Sequence, residues 1–214
     1  YPLIAAKKSK YIDKIYVSTD CDKIKKISSK YNVEFIDRPK KFNTSKALGD
    51  HVFEYSYHQI KKKNKKKIKL VVLLFANAPT INFQLIDKGI SLLKKNESFD
   101  SAVTTSVYNM WSPLRARKLT SNGSLKPFVK FEYFGNPKTL NCDRDSQGNV
   151  YFADMSLSVV RPKCLENLES GLLPQKWMGK KIAPIVSEGG CDIDFEYQIP
   201  GVEHWLKVRG FRKK

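Results

Sequence analysis

Two aspartates near the C-terminus, Asp192 and Asp194, are the pair of side chains best placed by type and spacing to do chemistry. In an extended segment, residues two apart project from the same side, so both carboxylates would face one ligand. Magnesium prefers oxygen ligands and usually takes only one or two protein carboxylates. The pair therefore predicts a Mg²⁺ site acting on phosphate oxygens, with one carboxylate also able to accept a proton. A solvated acidic turn is the alternative for so short a pattern.

Other polar candidates follow predicted strands. Ser18, Thr19 and Asp20 close a short β-branched run, and Asn77 comes directly after the apolar run 70–75. Open α/β sheets bind ligands outside the carboxyl ends of their strands, so we expect these residues to contact a nucleotide or a sugar. Helix capping competes with this role for the Ser-Thr-Asp group, and turn formation competes with it for the asparagine.

Three arginines are candidates for binding an anion. Arg38 precedes a proline, which favours an extended backbone from which its guanidinium could reach phosphate or carboxylate. Arg115 and Arg144 lie within a region that lacks a regular periodic pattern. A solvated surface position is the alternative for each of them.

The elements that must position these residues alternate along the chain. Strands are predicted at 14–19, 33–36, 69–76 and 101–107, and again at 150–160 and 181–186. Amphipathic helices are predicted at 22–31, where Asp20 or Asp22 would act as the cap, and at 47–60, 83–93 and 202–208. This alternation predicts an α/β fold of the doubly wound type, with a mostly parallel nucleotide-binding sheet and helices on both faces.

One stretch departs from the alternation. Residues 108–149 have little helical periodicity, several turn signals and many aromatic residues. We expect a single domain over 1–214 in which this stretch is a β-rich insertion, serving as a lid or a dimerisation arm.

The chain carries a formal net charge of +18, mostly from lysine. The longest tract, 61–67, has six lysines and one asparagine, without the aromatic residues or arginines that stack on bases. This pattern favours a solvated lysine surface over nucleic-acid binding.

The four cysteines form no CxxC pair, which argues against a disulfide framework or a zinc site. The longest apolar run, 70–78, is too short to cross a bilayer, and no leader pattern opens the chain. We therefore expect a cytoplasmic protein.

Several segments, taken in order, resemble the acylneuraminate cytidylyltransferases, which join nine-carbon acidic sugars to CMP. The segments are Pro2-Leu3-Ile4, 13–20 with its Ser-Thr-Asp end, Arg38-Pro39, 73–80, 112–115 with 123–127, and Cys191-Asp192-Ile193-Asp194. No one of them is decisive, but their order spans nearly the whole chain.

The resemblance implies an activity. The anomeric hydroxyl of a nonulosonic acid (sialic, legionaminic or pseudaminic type) would attack the α-phosphorus of CTP and release pyrophosphate, with Mg²⁺ as cofactor. It also implies a homodimer in which basic residues of the insertion reach the partner's substrate, and Arg144 stands where the family often has glutamine. The eight-carbon acid Kdo, a sugar 1-phosphate, or a degenerate relative without catalysis are the alternatives.

Two departures from the family pattern bear on these expectations. The family's glycine-rich and basic nucleotide loop would precede Pro2 and is not in this sequence, so a chain lacking it would hold a triphosphate poorly. Phe75 stands where relatives often carry a glutamine that reads the base or the sugar. The identity of the sugar therefore stays open.

Overall fold

A mixed sheet with the strand order β3-β7-β4-β8 forms the centre of the fold. The computed structural model describes residues 1–44, 46–141, 143, 147–190 and 192–211. The strands are β1 (Tyr16–Ser18), β2 (Glu34–Ile36), β3 (Val71–Leu74), β4 (Ser101–Val107), β5 (Arg117–Leu119), β6 (Leu125–Pro127), β7 (Tyr151–Val160) and β8 (Ile182–Ser187). The helices are α1 (Pro2–Lys8), α2 (Asp22–Ser28), α3 (Gly49–Lys63), α4 (Phe83–Lys95), α5 (Pro162–Glu166) and α6 (Ile199–Val208).

Strand direction follows from how the chain connects the strands. β4 and β8 pair in parallel, whereas β7 runs antiparallel to both β3 and β4. The segment after β4 leaves the sheet and returns beside the same strand end, where Val107 pairs with Tyr151. A return at one end of a sheet gives an antiparallel pair without a crossover helix. β3, β4 and β8 thus share one direction, and β1 and β2 form a separate parallel pair.

Both faces of the central sheet are covered. Neighbouring residues of β4 and β7 point to opposite faces, because side chains alternate along a strand. Ala102 and Val159 join the cluster that α1 and α4 complete, whereas Val103 and Val160 join the cluster of α3 and α5. This arrangement confirms the expected α/β fold with helices on both faces of a central sheet. The sheet is mixed where a mostly parallel one was expected, because β7 pairs antiparallel with both of its neighbours. The predicted helix at 47–60 extends through Lys63, so three lysines form its last turn.

The excursion 108–149 contributes the antiparallel β5–β6 hairpin and several short 3₁₀ turns. Its apolar side chains are largely exposed, with Leu119 and Leu125 each 67% exposed and Tyr133 78% exposed. Its role as a lid or dimerisation arm stays a prediction. No helix in the described part of the chain has the length and apolar character needed to cross a bilayer.

Asp100, just before β4, holds three elements together. Its carboxylate accepts the N–H groups of Lys180 and Lys181 at 2.9 Å each and pairs with the Lys163 ammonium at 2.5 Å. Burial alone would raise its pKa, but Lys163 and the two amides outweigh burial and lower the pKa from 3.8 to about 2.

This carboxylate should give the fold an acid-sensitive stability. Because the folded pKa lies below the unfolded one, the contribution is complete above about pH 4 and is lost as the pH falls towards 2. We expect Asp100→Asn to lower the free energy of unfolding near pH 7 by about 2 kcal/mol and to flatten its decline in acid. Urea unfolding at several pH values measures this, with the exposed Asp13→Asn as control. Parallel acid profiles for wild type and Asp100→Asn would contradict the prediction.

Candidate active site

Residues 192–194, here called the acidic segment, lie between the loop after β8 and the turn that opens α6. The N–H of Ile193 donates to the carbonyl oxygen of Asn77 at 2.9 Å. The side-chain amide of Asn77 donates to Oδ1 of Asp194 at 3.2 Å. The structure thus brings together two candidates that are 117 residues apart, at the carboxyl end of β3.

Gln198 fixes the other end of the acidic segment. Its Oε1 accepts the N–H groups of Asp194 and Phe195 at 2.8 Å each, and its own N–H donates to the Phe195 carbonyl at 3.1 Å. The segment is therefore tied to the first residues of α6. Sequence reasoning missed Gln198, because only half of the capping-box pattern is present: the glutamine accepts the N-cap N–H, but Phe195 stands where the pattern has Ser or Thr.

Asp192 has a carboxylate oxygen whose hydrogen-bonding capacity is not satisfied by the described residues. Its Oδ1 is buried and has no hydrogen-bond partner among the described residues. Burial, and then the negative charges of Asp194 and Asp154, raise the pKa of Asp192 above its ordinary value. A buried, unpaired carboxylate oxygen among like charges is unfavourable, and a cation would relieve it.

The two segment carboxylates fit Mg²⁺. In the described part of the chain, no three His, Cys, Asp or Glu side chains converge into a complete protein metal site. Mg²⁺ does not need one, because it usually keeps water and substrate phosphate in its coordination shell and takes only one or two carboxylates. The unpartnered oxygen of Asp192, with Asp194 beside it, is the donor set that suits such an ion.

A buried polar network lies beneath the loop that leads into the acidic segment. Asp154 of β7 accepts at Oδ1 from the Thr104 hydroxyl (2.5 Å), the Ser156 N–H (3.1 Å) and the Ser156 hydroxyl (2.9 Å). At Oδ2 it accepts from the Ser106 hydroxyl (3.0 Å) and the Gly190 N–H (3.1 Å). Sequence reasoning missed this network, because its members come from β4, β7 and the loop after β8.

The network sits at an irregularity in β7. The pairing of β4 with β7 shifts register between Val103 and Thr105, and Met155 takes the left-handed conformation with φ of 59°. A β-bulge redirects side chains and is common beside functional sites. Here the bulge accompanies the Asp154 carboxylate directed towards Gly190 rather than into the apolar core.

A second group of candidates meets at the end of β1. Ser18 pairs with Ile36 in the parallel β1–β2 ladder, which brings Arg38 alongside. The Arg38 guanidinium donates to the Ser18 hydroxyl at 3.3 Å and to the Ser18 carbonyl. The Ser56 hydroxyl of α3 lies 3.4 Å from the Ser18 hydroxyl. The end of β1 thus carries a positive charge and two hydroxyls.

Thr19 and Asp20 behave differently. The Thr19 hydroxyl is buried and accepts the Cys21 N–H at 3.2 Å, whereas Asp20 is exposed. Cys21 is the N-cap of α2 and no side chain caps this helix, so the prediction of a cap by Asp20 or Asp22 is wrong. The Thr19 hydroxyl bonds the backbone in the turn before the helix instead, a local pattern that competes with capping.

The insertion arginines stand apart from these groups. Arg115 is exposed at the end of the 3₁₀ turn Pro113–Arg115. Within the described ranges, no hydrogen bond or ion pair joins its side chain to another candidate residue. Arg144 lies outside the described residues.

Phe75 packs into the fold below the strand end. Its ring lies 5.6 Å from that of Phe53 and 6.4 Å from that of Trp177, measured between centroids. An apolar aromatic contact therefore occupies the position where relatives often carry glutamine.

The fold is shared with several solved structures. A solved CMP:2-keto-3-deoxy-manno-octonic acid synthetase, complexed with CTP, is similar with a TM-score of 0.64 and 9% identity, over 97% of this chain and 87% of that one. A 4-diphosphocytidyl-2C-methyl-D-erythritol synthase from Anaerococcus prevotii gives a TM-score of 0.63 at 16% identity, over 96% and 83%. A cytidylyltransferase from Leptospira borgpetersenii gives 0.54 at 14% identity, over 99% and 75%. At these identities the likeness concerns the fold, which is that of the nucleotidyltransferases.

The sequence gives the narrower assignment. Residues 1–160 match the model of the cytidylyltransferase family, and the chain belongs to that family. It is thus a nucleotidyltransferase enzyme whose family activity is the transfer of CMP from CTP. Asp192 and Asp194 lie beyond the matched residues. No curated protein matches the sequence.

Proposed function

We propose that this cytidylyltransferase transfers CMP from CTP to the anomeric hydroxyl of a nonulosonic acid of the sialic, legionaminic or pseudaminic type. The observation that carries the proposal is the unpartnered, buried Oδ1 of Asp192 next to Asp194, with Asn77 bonded to the same segment. The ordered resemblance to the acylneuraminate enzymes, from the Ser-Thr-Asp end of β1 to the Asp-Ile-Asp segment, supports the choice of acceptor.

The proposed reaction forms one bond and breaks one. The anomeric oxygen bonds to the α-phosphorus of CTP, and the bond from that phosphorus to the oxygen bridging the β-phosphate breaks. The bonding electron pair leaves with pyrophosphate. One of the two carboxylates of the acidic segment could accept the hydroxyl proton.

The candidate residues would bind the metal, orient its ligands and contact the substrates. Asp192 and Asp194 would hold Mg²⁺, which when bound supplies charge neutralisation for the phosphates. Asn77 orients Asp194 through its amide N–H, and its amide oxygen can accept from a base edge or a sugar hydroxyl. At the end of β1, Ser18 and Arg38 offer a hydroxyl and a cation to phosphate or carboxylate.

Thr19 and Asp20 complete the proposed nucleotide or sugar contacts at the end of β1. The proposal assigns Arg115 and Arg144 to the substrate of a partner subunit, with the excursion 108–149 as the arm that carries them. The exposed apolar side chains of this excursion support that role, because a monomer rarely leaves so much apolar surface open.

A homodimer is expected from that exposed surface. Sedimentation velocity at micromolar protein should give a species near twice the chain mass of 24.6 kDa. The paired change Leu119→Ser and Leu125→Ser should shift the species towards monomer, because it removes apolar area from the hairpin. A monomeric wild-type protein would overturn the dimer.

The eight-carbon acid Kdo is the second candidate acceptor. The fold similarity to a CTP-complexed synthetase named for that sugar supports it. A sugar 1-phosphate is a third, and it would use phosphate oxygen as the nucleophile instead of a hydroxyl.

The test is pyrophosphate release from CTP and Mg²⁺ by the full-length protein, against a panel of acceptors. The panel contains the nonulosonic acids, Kdo and several sugar 1-phosphates, with reactions that lack the protein or Mg²⁺ as blanks. Release with a nonulosonic acid alone supports the proposal. Release with Kdo alone changes the acceptor, and release with a sugar 1-phosphate overturns the hydroxyl nucleophile. No release from folded protein with any acceptor would indicate a relative without this activity.

A further inference from the structure

Asp154 is a buried carboxylate to which the proposed reaction gives no chemical step. It is only 8% exposed and accepts five hydrogen bonds from β4, β7 and the loop after β8. We propose that Asp154 is a positioning residue that holds the backbone of Gly190 and so fixes Asp192 and Asp194 for a divalent cation. This inference rests on the metal role in the proposed function.

Among the described residues, three backbone N–H groups anchor the acidic segment and the loop that leads into it, each to a different part of the fold. The Gly190 N–H donates to Asp154 Oδ2 at 3.1 Å and is also within 3.2 Å of the Ser106 hydroxyl. The Ile193 N–H bonds to Asn77, and the Asp194 N–H bonds to Gln198. The first anchor is the only one of these three that precedes Asp192. Without it, the side of the segment that carries the unpartnered oxygen is free to move.

Close approach reinforces this anchor. A Cβ placed on Gly190 would lie 2.3 Å from Asp154 Cγ and 2.4 Å from the Ser156 hydroxyl oxygen. The loop backbone therefore rests directly on the carboxylate, with no side chain between them. The charge of Asp154 also adds to the negative field around Asp192, which favours a bound cation.

Asparagine cannot replace Asp154 without losing a backbone bond. Each carboxylate oxygen accepts one backbone N–H: Oδ1 accepts that of Ser156, and Oδ2 accepts that of Gly190. The NH₂ group of an asparagine must face one of these amides in either orientation, and an amide N–H cannot turn to accept. The nearby hydroxyls can rotate to suit the asparagine. The hydrogen bond that is lost is therefore that of the Gly190 N–H in the loop or that of the Ser156 N–H at the bulge.

The experiment compares Mn²⁺ binding and hydrogen exchange in wild type, Asp154→Asn and Asp50→Asn, all without substrate. Mn²⁺ binding is measured by electron paramagnetic resonance, and amide exchange is measured on peptides covering 190–194. Asp50 is the matched control, because it is also 8% exposed and also accepts a backbone N–H, that of Trp177 at 3.0 Å. It lies in α3, on the α3–α5 side of the sheet.

We expect Asp154→Asn to weaken Mn²⁺ binding by about tenfold or more, the usual effect of losing a group that orients metal ligands. Exchange in 190–194 should quicken in the same variant. Asp50→Asn should lower the melting temperature yet leave both readouts close to wild type. If Asp154→Asn does not fold, Ser156→Ala keeps the carboxylate and its backbone bonds and removes one hydroxyl donor to it, and it should change both readouts in the same direction.

Four results would overturn the inference. Exchange in 190–194 that stays at the wild-type rate in Asp154→Asn and also in Asp154→Ala, which removes both acceptor oxygens, would show that Asp154 is not the anchor, whatever the metal does. Quicker exchange with unchanged Mn²⁺ affinity would show that the Gly190 anchor does not affect metal binding. Equal losses in Asp154→Asn and Asp50→Asn would reduce the effect to general destabilisation. Wild-type protein that binds no Mn²⁺ alone, and none with CTP present beyond what free CTP binds, would overturn the metal proposal itself and this inference with it, which distinguishes the two failures.

Discussion

Asp194→Asn is expected to lower Mg²⁺-dependent turnover by about a hundredfold or more while leaving the fold intact. Metal ions contribute several kcal/mol of transition-state stabilisation, and each 1.36 kcal/mol is about tenfold in rate. Asp194 is exposed, so its replacement removes a ligand charge without opening the core. Asparagine can still accept the Asn77 amide N–H, which keeps the local hydrogen bond and isolates the loss of charge.

The measurement is pyrophosphate release under saturating CTP, with circular dichroism to establish folding. Glu196→Gln is the matched control, because it removes an exposed carboxylate two residues further along the same turn. We expect that control to retain wild-type turnover. Asp192→Asn should lose activity at least as strongly, since it removes the carboxylate whose buried oxygen has no protein partner. Near-normal turnover in Asp194→Asn would overturn the metal role of the segment.

Gly190→Ala is expected to be the most damaging single-methyl change near the site. The added carbon would meet Asp154 Cγ at 2.3 Å, Ser156 Oγ at 2.4 Å and Asp154 Oδ1 at 2.5 Å. Neither side chain can withdraw freely, because both belong to the buried network on β7. Overpacking of this kind costs about 1–3 kcal/mol of stability. The loop must also lift from the sheet, which moves Asp192 and should lower turnover more than a loss of stability alone would.

Gly201→Ala is the control for this methyl group. A Cβ at Gly201 meets nothing within 4 Å, and alanine favours a helix over glycine by about 1 kcal/mol. We expect this control to be as stable as wild type or more so, with unchanged kinetics. Thermal melts and pyrophosphate release on both variants settle the comparison. If Gly190→Ala melts and turns over like wild type, the close approach of the loop to Asp154 has no functional weight.

The local pattern of the sequence predicted the elements well, for a physical reason. Burial of one helix face or of a strand leaves its mark within a few residues, so periodicity placed β3, β4, α3 and α4 close to their observed bounds. It also placed Asn77 at a strand end and paired Asp192 with Asp194. It failed where two local solutions compete, as at Thr19, whose hydroxyl bonds the Cys21 N–H in a turn where a side-chain cap was predicted.

By itself, the sequence determined the α/β class, the cytidylyltransferase family and the positions of most candidate residues, because each of these is written in short segments or in their order. Only the tertiary structure decided that β7 runs antiparallel between β3 and β4, and that Asp154 supports the loop at Gly190. It alone brought Asn77 to Asp194 across 117 residues. Contacts between residues so far apart in the sequence depend on how the strands assemble. They therefore cannot be predicted from the residues that are adjacent in the chain.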